Sequence, residues 1–577
     1  MEPAATDQPK AFLEKRRPLS QSVLWTLQRQ FFEQRGLTAW SAGTVPHYIT
    51  TNPTIAAVYA RLILGWLRDW KRGNPERNGF SPAGLDRSQP VYLLELGSGA
   101  GRFAYHFLQR FVPLWRQSVL KDVPVKYVLT DYTEAAIAFW QSHARLRPYV
   151  DEGVLDFARF DAERDEEIRL RVSEAVLAAG AVKNPLAVMA NYVLDSIPHD
   201  AFSIIDGKLH ECRVSLVSPE PDVDRGDPAL LDQLSLEFEH LPLESDYYEN
   251  PVWNQILRGY EKKLDNTVVT FPVAGLDALE RLQRISGGRM LLLSADKGHD
   301  REEELLGQGE PNLARHGSFS LMVNYHALGE VVRAKGGECL RPPQPHAHLA
   351  VGGFLLGEPP DGYTETRQAF DEHIIRGGPD EFFTLKKGIE MFFSCLKLEQ
   401  LLAYLRLSSW DATIFWQCSE DLLKCAKTAS ASEKRELFWA VRQIWDNYFF
   451  IGEDEDLAAC MGELMQAMGF HQAALEYYGY SLQLRGASAT SYSGLARSHL
   501  ALGQWEQAAD CAAKALEVRP ECGPARALHI EIEECRRRHE AIAGNLPPPT
   551  ERVPQGREYR SHHGNLIGSQ DPLSGEE

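Results

Sequence analysis

The sequence predicts a doubly wound, Rossmann-like α/β sheet followed by an all-α array of helical repeats. Three observations carry that prediction. Short apolar strand signals alternate with amphipathic helical segments between residues 91 and 293, the pattern of a parallel sheet with helical crossovers. One of those strands runs straight into a glycine-rich turn and a helix, VYLLELGSGAGRFAYHFLQRF. Beyond about Glu358 the strand signals cease, and small residues recur at a spacing of 34 residues, as stacked helical pairs require.

In chain order, MEPAATDQPKAFLEKRRPLS is polar and lacks the apolar run and cleavage site of a secretory signal. Residues 1–20 are expected as a flexible lead-in. Two amphipathic helices follow, SVLWTLQRQFFEQRG and TIAAVYARLILGWLRDW, around the loop SAGTVPHYITTNP. The predicted strands are Val91–Leu96, Val125–Thr130, Leu186–Ala190, Phe202–Ile205 and Met290–Leu293. The insertion from Ser218 to Thr270, rich in acids and in aromatics such as Tyr247, Tyr248 and Trp253, follows the reacting edge, and the sequence leaves open whether it forms a lid over the site. An α/β domain with its helical N-terminal extension thus spans 21–360, and a helical region spans 361–450. Tetratricopeptide-like repeats occupy 451–540, and a Pro-, Gly- and Ser-rich tail over 541–577 is expected to be disordered.

The repeat rests on specific positions. Gly462, Gly469, Ala474 and Ser481 recur as Ala496, Gly503, Ala508 and Ala515, followed by Pro520. Small residues are needed where antiparallel helices cross closely. Two units are visible, Gly523–His539 reads as a capping helix, and the helices of 382–450 are expected as degenerate members of the same stack.

Composition narrows the function. A chain of 577 residues should hold several domains, and 44% hydrophobic against 24% charged residues is an ordinary globular balance. The net charge of -19 repels phosphate backbones, so nucleic acid is not expected as a partner. Apolar runs fall short of the roughly 20 residues that span a bilayer, so no membrane span is expected. Nine cysteines without a CxxC pair predict neither a disulfide framework nor a zinc site, and suit a cytoplasmic setting.

The chemistry concentrates at the glycine-rich turn. Gly97, Gly99 and Gly101 let the backbone turn tightly and approach a ligand, and the following helix offers free N–H groups. The dinucleotide fingerprint needs a third glycine at position 102, where Arg102 stands. Glu95 at the strand tip can accept a hydrogen bond from a cationic amino-acid ligand. Both points favour S-adenosylmethionine as cofactor. Asp131 ends the next strand, where this fold places an acid on a ribose diol, and Asp161 after LDFARF can meet the adenine. Alternatively, both cap the helices behind them. The strand of NPLAVMANYVLDSIPHDAF brings Asn191, Tyr192 and Asp195 to the carboxyl edge as catalytic candidates: Asn191 to orient an amine, Asp195 to bind a cation or take a proton. A turn-stabilising Asn and a helix-capping Asp are the alternative.

Other candidates point elsewhere. His199–Asp200 and His299–Asp300 read as exposed loop polars, and His346 and His348 lack further ligands, so no metal site is predicted. Tyr59, Leu62, Trp66 and Trp70 read as a core stripe.

The succession YITTNP, ELGSGAGRF, LTDYTEA, ANYVLDSIPHDAF, LLLSADKG and HGSFSLMVNYHALGEVVRAKGGE resembles the MidA-like SAM-dependent methyltransferases, a family that includes the mitochondrial complex I assembly arginine methyltransferase. It covers about Ser41 to Gly357. The resemblance implies a class I methyltransferase fold, cofactor binding by Glu95, Gly97, Gly99, Gly101 and Asp131, and a role for Asn191 and Asp195. Two positions depart: the family's acid after that Asn is Tyr192 here, and its TAPE-like segment reads Thr51, Asn52, Pro53, so arginine specificity is not carried over. The expectation is a methyltransferase acting on a nitrogen of a protein substrate recruited by the helical repeats. The rival is a catalytically degenerate scaffold acting through those repeats.

Overall fold

The computed structural model describes residues 11–71, 84–220, 223–224, 226–359, 361–521 and 523–543. The chain starts in β1 (Ala11–Pro18) and passes through α1 (Val23–Arg35) to α2 (Pro53–Lys71). Then come β2 (Val91–Leu96), α3 (Arg102–Gln117), β3 (Val125–Asp131), α4 (Glu134–Ser142), β4 (Leu155–Arg159) and β5 (Leu186–Asn191). The strands β6 (Asp200–Ile205), β7 (Lys208–Ser218) and β8 (Ser235–Pro242) precede α5 (Pro251–Lys263) and β9 (Thr267–Phe271). Finally α6 (Val273–Ile285), β10 (Met290–Asp296), α7 (Tyr325–Ala334), β11 (Glu338–Leu340) and β12 (Ala350–Leu356) complete the α/β part.

Seven strands form the central sheet in the order β11-β12-β10-β5-β2-β3-β4. The pairs from β10 to β4 are parallel, and β12 runs antiparallel to β10. Its inner strands are apolar on both faces because both faces are covered. Leu93, Leu129 and Leu293 pack with α2 and α3, while Leu94, Val128 and Leu292 pack with α5, α6 and α7. Each such buried Leu contributes roughly 2 kcal/mol.

Phe202–Ile205 corrects the single-sheet expectation. It belongs to β6, in a separate five-stranded antiparallel sheet. The long strand β7 pairs β8 along one edge and divides its other edge between β6 and β1. Residues 11–18 of the expected flexible lead-in are therefore an edge strand, with Lys15, Arg16 and Arg17 exposed and its register broken by bulges. No described residue of the 218–270 insertion lines the main cleft. Trp253 and Tyr248 pack on Phe271 beneath β6, with Tyr248 donating to buried Asp200 at 2.8 Å. This insertion is the support of the second sheet.

Two compact units divide the chain between Gly486 and Ala487. In the first, helices over Pro379–Glu390 and Leu398–Leu407 lead to α8 (Ala412–Thr428), α9 (Ala431–Asn447), α10 (Leu457–Ala467) and α11 (His471–Arg485). In the second, α12 (Ala489–Ala501), α13 (Trp505–Val518) and α14 (Gly523–Ala543) pack together. The 34-residue register places Ala474 and Ser481 of α11, and Ala496, Ala508 and Ala515 of α12 and α13, at fully buried positions within their own units. Gly469 and Gly503 turn the two hairpins with φ of +89° and +74°. The tail after 543 lies outside the described residues.

The cradle helix α3 is fastened to the end of α9. Tyr105 and Gln109 donate to Asp446 O at 2.6 and 2.7 Å, Arg145 donates to Trp445 O at 2.8 Å, and Arg102 donates to Phe449 O at 3.2 Å while pairing with Glu453. These carbonyls are the orphaned acceptors of a helix end, where cations are favoured. The loop before α2 is held by Asn52, whose Oδ1 accepts from Thr54 N and Ile55 N and whose Nδ2 donates to Tyr48 O and Ile49 O. It is 3% exposed. Asn52→Ala removes an N-cap and leaves these groups unpaired, so urea unfolding should show a loss of roughly 2 kcal/mol.

Candidate active site

The strand order reverses between β2 and β5, which pair from Leu93↔Ala187 to Leu96↔Ala190. The chain leaves β2 toward one face of the sheet and β5 toward the other, which opens a crevice at the carboxyl edge. The main cleft lies there, walled by residues of α1, of the 40–51 loop and of the tips of β2, β3, β4 and β5.

Glu95 sits in the cleft floor, 6% exposed, accepting from Tyr127 at 2.7 Å. Burial pushes its carboxyl up to about 8, against the pull of the hydrogen bonds from Tyr127 and Ser98. Gly97 and Gly99 line the cleft with φ of +57° and +51°. A Cβ on Gly97 comes within 3.0 Å of Val193, and one on Gly99 within 3.0 Å of the Trp40 ring. Gly101, at φ +76°, is the start of α3 and packs against Trp140 instead of the cleft wall. Asp131 accepts from Gly99 N at 3.2 Å and from Thr133 N and Oγ1 at 2.9 and 2.8 Å, and burial raises its pKa. It ties the glycine turn to β3. Asp161 lines the cleft, but Arg29 of α1 holds its carboxylate through contacts of 2.6 and 3.3 Å. Arg29 also reaches Glu163 at 2.8 Å and stacks on Tyr132 at 4.4 Å.

At the tip of β5, Asn191 Oδ1 accepts from Tyr59 at 2.9 Å and its Nδ2 donates to Thr50 O at 3.4 Å. Tyr59, in the core stripe, therefore also orients the site. Tyr192 has φ +55°, a conformation that costs a bulky residue energy and clusters at functional sites. Asp195 accepts from Ser196 at 2.7 Å, and burial lifts it to about 6. Behind it lies Asp296, the last residue of β10 and fully buried. Asp296 Oδ2 accepts from Leu194 N at 3.1 Å and from Tyr325 at 3.4 Å, whereas Oδ1 is buried with no hydrogen-bond partner. Burial and the charge of Asp195 keep its pKa well above the usual range. The charge of Asp195 thus opposes ionisation of Asp296, and the two carboxyls titrate as a linked pair.

Arg29, Trp40, His47, Asp296 and Lys297 are site residues the sequence reading missed. Asp296 had a signal, an acid closing an apolar strand as Glu95 and Asp131 do. Arg29 and Trp40 had none, because they reach the cleft through tertiary packing. His199 and Asp200 are buried, not exposed: His199 stacks near Trp25 and its Nε2 lies 2.6 Å from Leu194 O. His299 and Asp300 are half-buried. Asp300, Glu304 and His346 cluster closely enough to hold a cation, outside the cleft. The described cysteines are free thiols, and no helix among the described residues is long and apolar enough to cross a membrane.

No family model and no curated protein matches the chain. Two solved structures from Burkholderia thailandensis resemble it, each at 15% identity and a TM-score of 0.34 over 57% of this chain. One is an uncharacterized superfamily protein matched over 73% of its length; the other, matched over 74%, is a "likely methyl transferase" bound to S-adenosyl-homocysteine. Likeness at that level carries no weight for activity, which rests on the cleft itself.

Glu95 links the cleft to stability. Its carboxyl, raised from 4.5 to about 8 in the fold, favours folding fully below pH 4.5, and that contribution is lost as pH rises through 8. Glu95→Gln should therefore raise the melting temperature at pH 7, by roughly 3 kcal/mol of relief at most, and leave it unchanged near pH 4.

Proposed function

We propose that this chain is an S-adenosylmethionine-dependent methyltransferase of the class I, MidA-like kind, acting on a nitrogen of a protein substrate. The observation that carries this reading is the convergence, at one switch point, of a buried strand-tip carboxyl, two left-handed cleft glycines and Asp131. The sheet order supports it. The reversed strand β12 is inserted beside β10, unlike the parallel 3-2-1-4-5-6 order of dinucleotide folds. Arg102, where those folds need glycine, points the same way.

The residues fit the cofactor chemically. Glu95, buried without a cation, suits an α-ammonium group, whose charge compensates its ionisation. The backbone at Gly97 and Gly99 allows close approach, and Asp131 Oδ2, which accepts from Gly99 N, keeps a lone pair for a ribose hydroxyl. Trp40 and Phe32 supply an aromatic wall. When bound, S-adenosylmethionine supplies an electrophilic methyl group. Asn191, fixed by Tyr59 and Thr50, orients the acceptor nitrogen. Asp195 takes the proton that nitrogen sheds, and Asp296 behind it sets how readily Asp195 ionises. Asp296 is a positioning residue in this scheme. The two 34-residue helical hairpins are tetratricopeptide-like in this reading, and the acidic surface favours a cationic substrate.

Calorimetric titration with S-adenosylmethionine tests the cofactor. Wild type should bind and Gly99→Arg, which fills the cradle, should not; a folded wild type that fails to bind rejects the enzyme and favours the scaffold. In kinetics, activity should fall as pH drops below about 6, where Asp195 protonates. Asp296→Leu should move that limb upward while Asp296→Asn, which keeps a donor, leaves it near 6. An unmoved limb in the Leu variant removes Asp296 from this role.

A further inference from the structure

A second groove lies on the far side of the cleft wall, between the 40–53 loop and the helical part of the same unit. It shares Trp40, His47, Thr51 and Arg102 with the cleft, so the two spaces abut. They meet beside Thr50, whose carbonyl touches Asn191 at the reacting edge. The groove carries aromatic side chains from both sides, Trp40 and Tyr48 from the loop, Trp416 and Tyr448 from α8 and the α9–α10 connection. Trp416 is 37% exposed, an unusual state for a large apolar ring.

Its charge is one-sided. The cation Arg102 is matched by Glu453, and His47 and His106 are held neutral by burial, down to about 4 and about 3. Arg485 is held by the backbone carbonyls of Asp454 and Glu455, which leaves their exposed carboxylates turned to solvent at the rim. Aromatic faces beside uncompensated carboxylates select a cationic, partly apolar chain, through cation–π and charge contacts together.

We propose that this groove binds a basic polypeptide segment flanking the residue presented to the cleft, so that the helical part acts as the second wall of a substrate track. The inference rests on the methyltransferase reading for what happens in the cleft, but the binding itself does not. The test uses the full chain and fluorescein-labelled ten-residue peptides of alternating Gly-Arg, Gly-Lys and Gly-Glu, followed by fluorescence polarisation. Wild type should bind both basic peptides and not the acidic one. Asp454→Lys with Glu455→Lys should weaken basic-peptide binding about tenfold, and Trp416→Ala should weaken it without changing the salt dependence. The same charge change at exposed Glu303 and Glu399 should alter it less than about twofold. Equal binding of acidic and basic peptides, or equal loss in the distant charge variant, overturns the proposal. S-adenosylmethionine titration of the same proteins separates the two ideas: cofactor binding with no peptide selectivity removes the groove alone, and peptide selectivity with no cofactor binding removes the methyltransferase alone.

Discussion

Helices that cover opposite faces of a parallel sheet cannot both close its edge. Between β2 and β5 the crossovers part, α3 to one face and α5 and α6 to the other, and the gap at the strand tips is a necessity of the topology. The candidate active site is arranged around that gap. Glu95, Asp131, Asn191 and Asp296 are all at or near strand ends because only there does a side chain leave the packed layer without leaving the fold.

The gap is completed by parts of the chain that are not in the sheet. Arg29 and Trp40 close it from the amino-terminal helix and loop, and Arg102 ties its cradle to the helical region. The acids in and behind the lining are set apart by their surroundings. Asp131 braces a turn, Asp161 pairs with Arg29, and burial holds Asp195 and Asp296 above the ordinary carboxylate range. Chemically similar carboxyls are thereby separated in role by environment alone.

Much of this was legible in the sequence, for local reasons. Strands buried on two faces read as apolar runs, and Gly97, Gly99 and Gly101 stand out because their backbone signs demand glycine. The strand-tip acids follow from the same pattern. What escaped reading was non-local. AFLEKRRP is too charged to look like a strand, and becomes one only because half an edge of β7 lies open. The aromatics of 245–255 carry no local sign of their place, which is the space under β6. Arg29 carries no mark in its neighbourhood that it is the partner of Asp161. His199 looked like a loop polar, and its burial depends on Trp25 and Leu194.

The pairing of β1 with β7 also imposes an order on assembly. Ala11 aligns with Ser218 and Pro18 with Arg213, so the first strand waits for some 200 residues of chain, on the order of ten seconds or more at about 5–20 residues per second of synthesis. Until then α1, whose Arg29 can already meet Asp161 and Glu163, lacks the paired strand that precedes it. β1 therefore leaves the ribosome first and is paired only after β7 exists.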